Sequence, residues 1–238
     1  YSEVKPMVFC GVFPVDSVDY ENLKEALEKL ALNDSSFTYE PETSGALGFG
    51  YRCGFLGLLH MNIIQERLER EFELNLISTA PSVSYKVSLF DGTHIDVENP
   101  ADLPEPGDFE SISEPYVKIS IHVPNEFVGR IIKLCEERRG IQTDLNYITE
   151  DRVQISYDLP LSEMVFDFYD KLKGMSKGYA SMDYDFKGYE PSTLVKVDIL
   201  LNSEKVDALS LICHRDNAYS KGKVLVERLR KIIDRQQF

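Results

Sequence analysis

The sequence predicts an α+β protein: two tandem ferredoxin-like βαββαβ plaits followed by the start of a third, mixed α/β C-terminal unit. Three observations carry this. Apolar residues alternate at period two in some stretches and recur every three or four residues in others, and the two patterns succeed one another in βαββαβ order twice. A run from Asn99 to Glu110 holding Pro100, Pro104, Pro106 and Gly107 separates the copies, because such a run can neither propagate a helix nor join a ladder. Finally, 238 residues with 43% apolar content suffice for more than one core. The divisions are residues 1–87 for the first plait, 88–110 for a connector, 111–191 for the second plait and 192–238 for an incomplete C-terminal unit.

The first copy opens with a strand from Met7 to Phe13 and a helix capped by Asp19, whose Tyr20, Leu23, Leu27 and Leu30 mark one face. Strands near Ser36 to Glu40 and Leu47 to Gly54 follow, then a helix with Leu59, Ile63, Leu68 and Phe72 inward and the pairs Glu66/Arg70 and Arg67/Glu71 outward. A strand from Leu76 to Val87 closes the unit. The second copy runs from a strand at Tyr116 to Val123 into a helix capped by Asn125, buried through Phe127, Ile131 and Leu134, and stopped by Gly140 in the left-handed region. Strands at Ile141 to Ile148 and Arg152 to Leu159 come next. Ser162 caps a helix with Val165, Phe168 and Leu172 inward, and Ala180, Met182, Tyr184 and Phe186 alternate along the last strand. The third unit begins at Leu194 to Asn202 and continues as helices over Ser203 to Cys213 and Gly222 to Ile233.

The stretch GFGYRCGFLGLLHMNIIQERLEREF invites a phosphate-loop or membrane reading, and both fail. Gly45 and Gly50 have the spacing of G-x-x-x-x-G-K-[ST], but Tyr51 and Arg52 follow where lysine and a hydroxyl are required. Gly48, Gly50 and Gly54 give G-x-G-x-x-x-G, one residue too long for a dinucleotide turn. His60 and Asn62 interrupt an apolar run far short of the ~20 residues a span needs. The glycines therefore have a packing role, and His60 makes a local hydrogen bond.

Four cysteines without a C-x-x-C pair signal neither zinc nor a disulfide framework and suit a reducing cytosol, and no histidine lies in H-E-x-x-H. No catalytic or metal-ligating set emerges. No signal peptide is recognised, and a start at Tyr1 on a structured segment suggests an excised fragment. The net charge of −14 opposes nucleic-acid binding as a whole. Residues 213–238 nevertheless carry seven Lys and Arg against three acids, which leaves −18 on the other 212 residues. Such asymmetry points to a polyanion contact, with a solvated helix face as the ordinary reading.

The same glycine-rich stretch resembles the third domain of the ribosomal translocase family, most closely its LepA (elongation factor four) branch. Further stretches share the likeness in order: VKPMVFCGVFPVDSVDYENLKEALEKLALNDSSFTYEPE, SYDLPLSEM and HRDNAYSKGKVLVERLRKIIDRQQF. The resemblance implies a GTP-dependent ribosomal factor acting on translocated or stalled ribosomes, with ribosomal RNA, ribosomal proteins and tRNA as partners and no DNA. It also implies a GTPase domain before Tyr1 and a lysine-rich tail after Phe238, so that GTP and Mg belong to the parent protein and no cofactor to this piece. Without G-x-x-x-x-G-K-[ST] the chain is expected not to hydrolyse GTP alone. The resemblance further implies a cytoplasmic location; a peripheral membrane association is reported for relatives, but no basic amphipathic helix in this sequence argues for it.

With the plaits as couplers of domain movement, the candidate RNA-binding residues are Arg215, Lys221, Lys223, Arg228, Arg230 and Lys231, and a second patch is Lys171, Lys173 and Lys177 around GMSKG. Gly174, Gly178 and Gly222 would let a phosphate backbone approach closely. The ordinary alternative is stabilisation, through a Glu227/Lys231 helix pair and lysines complementing a helix C-terminus. Other readings are a protein-interaction module without RNA contact, the corresponding region of another translocase, and an acylphosphatase-like enzyme. The loop GVFPVD disfavours the last, having no arginine and placing Asp16 where an anion would sit.

Overall fold

The computed structural model describes residues 5–165 and 167–232, and over these the expected architecture is found. The end of the last helix at Ile233, and Asp234 and Arg235 of the charge count, lie outside the described residues. Two compact units result: Tyr1–Ser82 with Val97–Asp108 and Ser192–Phe238, and Val83–Asp96 with Phe109–Pro191.

The first unit contains β1 (Val8–Pro14), α1 (Tyr20–Asn33), β2 (Thr38–Ser44), β3 (Gly48–Phe55), α2 (Leu58–Arg70) and β4 (Leu76–Ser78). The antiparallel order β2-β3-β1-β4 is that of a split βαβ plait. Every residue of β1 is buried, so its sequence VFCGVFP shows no alternation. Helix α1 buries Leu23, Ala26, Leu27 and Leu30. Asp19 precedes α1 but makes no capping bond; Asp16 takes that role for the 3-10 turn Ser17–Asp19, accepting from the Val18 amide. Helix α2 turns inward Met61, Ile64 and Leu68, whereas Leu59 and Ile63, expected in the core, are 72% and 47% exposed. Two apolar stripes overlap on this helix, and periodicity cannot choose between them. The point at which Gly57 starts the helix after β3 decides.

The strand expected from Leu76 to Val87 breaks around Pro81 into β4, β5 (Ser82–Val83) and β6 (Tyr85–Ser88). The stretch read as connector holds β7 (His94–Val97), paired with β6 around the turn Asp91–Gly92, and a 3-10 turn at Pro100–Asp102 capped by Asn99.

The second unit continues with β8 (Ser111–Pro124), α3 (Val128–Glu137), β9 (Ile141–Tyr147), β10 (Arg152–Pro160), α4 (Leu161–Met164), α5 (Phe168–Met175) and β11 (Ser181–Pro191). Strands run β7-β6-β8-β10-β9, with β11 on the long β8 as well. Val117, Ile119, Ile121 and Val123 oppose Leu159, Tyr157, Ile155 and Val153, and all are buried under the helices. Asn125 opens a 3-10 turn instead of capping α3 with its side chain. Gly140 is not left-handed; Arg139 is, at φ 60°. Glycine is still required at 140, where a Cβ would stand 2.6 Å from the Cys135 carbonyl oxygen. The helix expected after Ser162 is split into α4 and α5 by Asp167 at φ 34°, although Val165, Phe168 and Leu172 are buried as expected.

The C-terminal piece comprises β12 (Leu194–Val197), the hairpin β13 (Leu200–Leu201) and β14 (Glu204–Lys205), β15 (Leu211–His214) and α6 (Ala218–Ile232). No helix spans Ser203 to Cys213. Asn202 and Ser203 both take positive φ to turn the hairpin, and Asp198 accepts from Ser210 Oγ while pairing with Lys196 and Lys205. That carboxylate fixes the loop so that β15 reaches β12 as an antiparallel partner.

Candidate nucleic-acid interface

Helix α6 starts earlier than its glycine suggests. His214 accepts from the Asp216 amide through Nδ1, opening the 3-10 turn Arg215–Asn217, and α6 follows directly. Ala218, Gly222, Leu225 and Leu229 form its half-buried side. Lys223, Glu227 and Lys231 recur at four-residue steps on the opposite, exposed side, and Arg230 follows Lys223 by seven. Arg215 and Arg228 are exposed too, and Lys221 is half-buried. Among the described residues Arg215, Lys223, Arg228, Arg230 and Lys231 enter no ion pair, so the Glu227/Lys231 pair of the stabilisation alternative is not formed. Gly222 has room for a side chain: a Cβ there would meet Val197 Cγ1 at an ordinary 3.5 Å.

The second patch, in the other unit, is differently engaged. Lys173 Nζ donates to the Ala180 carbonyl at 2.6 Å and lies 5.5 Å from the Tyr169 ring centroid. Lys171 stands 3.6 Å from Asp167. Lys177 is exposed at φ 52°, and Gly178 at φ 82° closes the turn by donating to the Lys173 carbonyl. Lys173 thus stabilises the loop, and Lys177 has the open position. Gly174 is surrounded by open space, so its lack of a side chain answers to no neighbour.

The sheet face of this unit away from its helices carries Lys118, Ser120 and His122 on β8, Gln154, Ser156 and Asp158 on β10, and Asp183 and Asp185 on β11. Gln154 donates to Ser120 Oγ, and Lys187 donates to Asp158. Of these residues only His122 carries a ring, and three acids stand against one lysine, so this part of the sheet is poorly suited to be a single-strand RNA platform.

All four cysteines are free and buried. Burial pushes Cys10 up to about 11 and Cys135 to about 12, which disfavours the thiolate a nucleophile needs. Among the described residues no group of three or more His, Cys, Asp or Glu could hold a metal ion, and no helix is long and apolar enough to cross a membrane.

A family model described as the elongation factor G C-terminus matches residues 111–200, and one described as the C-terminus of the GTP-binding protein LepA matches residues 201–238. Over all 238 residues the chain is 60% identical to elongation factor 4 of Geobacillus thermodenitrificans (strain NG80-2) and of Shouchella clausii (strain KSM-K16). The chain belongs to the elongation factor 4 (LepA) family. It spans 39% of the length of these two relatives. The LepA-type match takes in the whole of α6, and the elongation factor G-type match takes in the Lys171 to Lys177 loop. A solved chain from Thermus thermophilus overlays 79% of this chain and 41% of its own at 17% identity, with a TM-score of 0.49.

Family likeness does not pick out two buried charge clusters, and neither do the patterns of motif and periodicity. In one, Arg139 donates to Glu114 and Glu163, whose side chains are 1% and 2% exposed. Burial opposes the arginine's charge, but its hydrogen bonds and the two acids outweigh burial and raise its pKa. In the other, Arg52 is 7% exposed on β3, and burial lowers its pKa against the pull of Glu42. A signal for Arg52 does exist: Gly50, Arg52 and Gly54 alternate on one face of a strand, so a large charged side chain stands between two bare positions.

Proposed function

We propose that this chain is the domain-coupling and ribosome-contacting part of a translational GTPase that acts on translocated or stalled ribosomes, in back-translocation or translation fidelity. What carries the reading is the 60% identity along its whole length to proteins named elongation factor 4. The cationic outer side of α6 supports RNA as the contact, because arginine and lysine free of ion pairs are what phosphate requires. Lys177 and Lys171 form the secondary contact, with Lys173 in a supporting place. GTP and Mg are assigned to a GTPase domain elsewhere in the parent protein, tRNA to the ribosome-bound state, and the cytoplasm to the location.

Sedimentation with ribosomes tests the reading. With about four phosphates neutralised, a fourfold rise in salt weakens binding by roughly two decades. Charge reversal of Lys223 and Arg230 should remove most of that salt dependence. No co-sedimentation at low salt, or indifference to the reversal, refutes RNA contact through α6. Retention by nuclease-treated ribosomal protein would favour the protein-interaction reading instead.

A further inference from the structure

The chain leaves the first unit after Ser82 and re-enters it at Val97. Both ends of this excursion meet one side chain. Arg52 Nη2 donates to Ser82 Oγ at 2.7 Å and to the Glu98 carbonyl at 2.9 Å, and Ser82 Oγ donates to the same carbonyl at 3.1 Å. Beside it, Glu42 accepts from Asn99 Nδ2 at 2.7 Å, and Asn99 caps the turn Pro100–Asp102 that follows. Arg52, Glu42, Ser82, Glu98 and Asn99 all belong to the first unit.

The sheet is built around this arrangement. Across β1 and β3, Phe9 opposes Gly54 and Gly11 opposes Arg52, while a Cβ on Gly50 would stand 2.4 Å from the Phe13 ring. Large and bare positions therefore alternate, and Gly11 gives space to the Glu42 carboxylate, 2.8 Å from where its Cβ would be. The ion pair itself is loose, with 3.9 Å between Arg52 Nη1 and Glu42 Oε1. Arg52 Nε and Glu42 Oε2 are buried without a hydrogen-bond partner among the described residues. A buried pair so incompletely satisfied is a poor source of stability, since desolvation is repaid only by full hydrogen bonding. Its geometry is specific all the same: one nitrogen, Arg52 Nη2, bridges two chain segments 16 residues apart in sequence.

We propose that Arg52, steadied by Glu42, is a positioning residue that pins the exit and return of the 83–96 excursion, Ser82 and Glu98, together at one point of the first unit. The proposal deepens the domain-coupling reading above, and its test uses no ribosome, so either can fail alone.

The test uses the full chain carrying Arg52→Lys, which keeps the charge but ends short of the Nη2 position, or Ser82→Ala, which removes the bridging hydroxyl and leaves the buried charge in place. Hydrogen exchange of the amides from Val97 to Leu103 is expected to speed by about tenfold or more, with much smaller changes in β1 and α1. Unchanged exchange in the 97–103 segment, or equal acceleration throughout the first unit, would overturn the proposal. If Arg52→Lys does not fold, Ser82→Ala decides.

Discussion

Arg139 concentrates the second unit's buried charge, and removing it should be the costliest single change away from the apolar core. Its guanidinium reaches Glu114 at 2.7 and 3.3 Å and Glu163 at 3.1 Å, and both acids are almost wholly buried. One belongs to β8 and the other to α4, so the arginine ties the central strand to the helix layer. Arg139→Leu withdraws the cation that both buried carboxylates share. Losing one partner of such a buried arrangement costs about 3–5 kcal/mol, a large part of the roughly 5–15 kcal/mol that holds a domain folded. Arg139→Lys separates charge from geometry: it keeps an unbranched chain and a charge but cannot serve both acids in one plane. Urea unfolding followed by far-UV circular dichroism gives the difference from the shift in midpoint at constant slope. A loss below about 1 kcal/mol in Arg139→Leu would refute the claim that the triad's charges depend on one another.

Glycine substitutions should separate by sign. Gly50→Ala puts a Cβ 2.4 Å from both Phe13 Cδ1 and the Val12 carbonyl oxygen, and should cost about 1–3 kcal/mol, whereas Gly174→Ala, in open space on α5, should gain about 0.5–1 kcal/mol; thermal unfolding of the two checks the contrast. In acid, Asp34 and Asp167 should each report. Burial acts to raise both, but the hydrogen bond from His60 to Asp34 and that from Arg138 to Asp167 prevail and hold the carboxyls below the ordinary range. A folded-state pKa below the unfolded one gives stability that is complete above about pH 4 and lost as pH falls through the folded value. Asp167→Asn and Asp34→Asn should therefore flatten that part of the stability profile, and an unaltered slope below pH 4 would count against either contact.

Order and type of the plait elements were legible in the sequence because each plait is two amphipathic helices over strands of period two, and both signals are local. What escaped depended on partners distant in the chain. Ser203 to Cys213 has residues compatible with a helix, but Leu211 to His214 is claimed by β12, which pairs Leu194 with His214 and Val197 with Leu211 across the intervening hairpin. On α2, Leu59 and Met61 are equally apolar, and only the exit of β3 tells which looks inward. Gly140 was recognisable as a necessary glycine for the wrong reason: close approach to the Cys135 carbonyl needs it, while Arg139 takes the left-handed turn. The cationic positions of α6 could be read from charge alone. The engagement of Lys173 with Ala180 could not, since a backbone acceptor leaves no trace in composition.

The two sheets solve the same covering problem differently, and this bears on where a polyanion can be met. In the first, β1 is buried on both faces and the side away from the helices holds Phe9, Phe13 and the Arg52 cluster, so the centre of that sheet has no face to offer. In the second, the polar face bearing Asp158, Asp183 and Asp185 is accessible but has the wrong sign. Phosphate at such a surface would meet carboxylates before it met Lys118, and the one well-placed lysine of the strand edge, Lys187, is already paired with Asp158 and Glu190. The RNA contact proposed above would therefore fall on turns and helix sides, where Lys177, Lys223 and Arg230 enter no ion pair among the described residues.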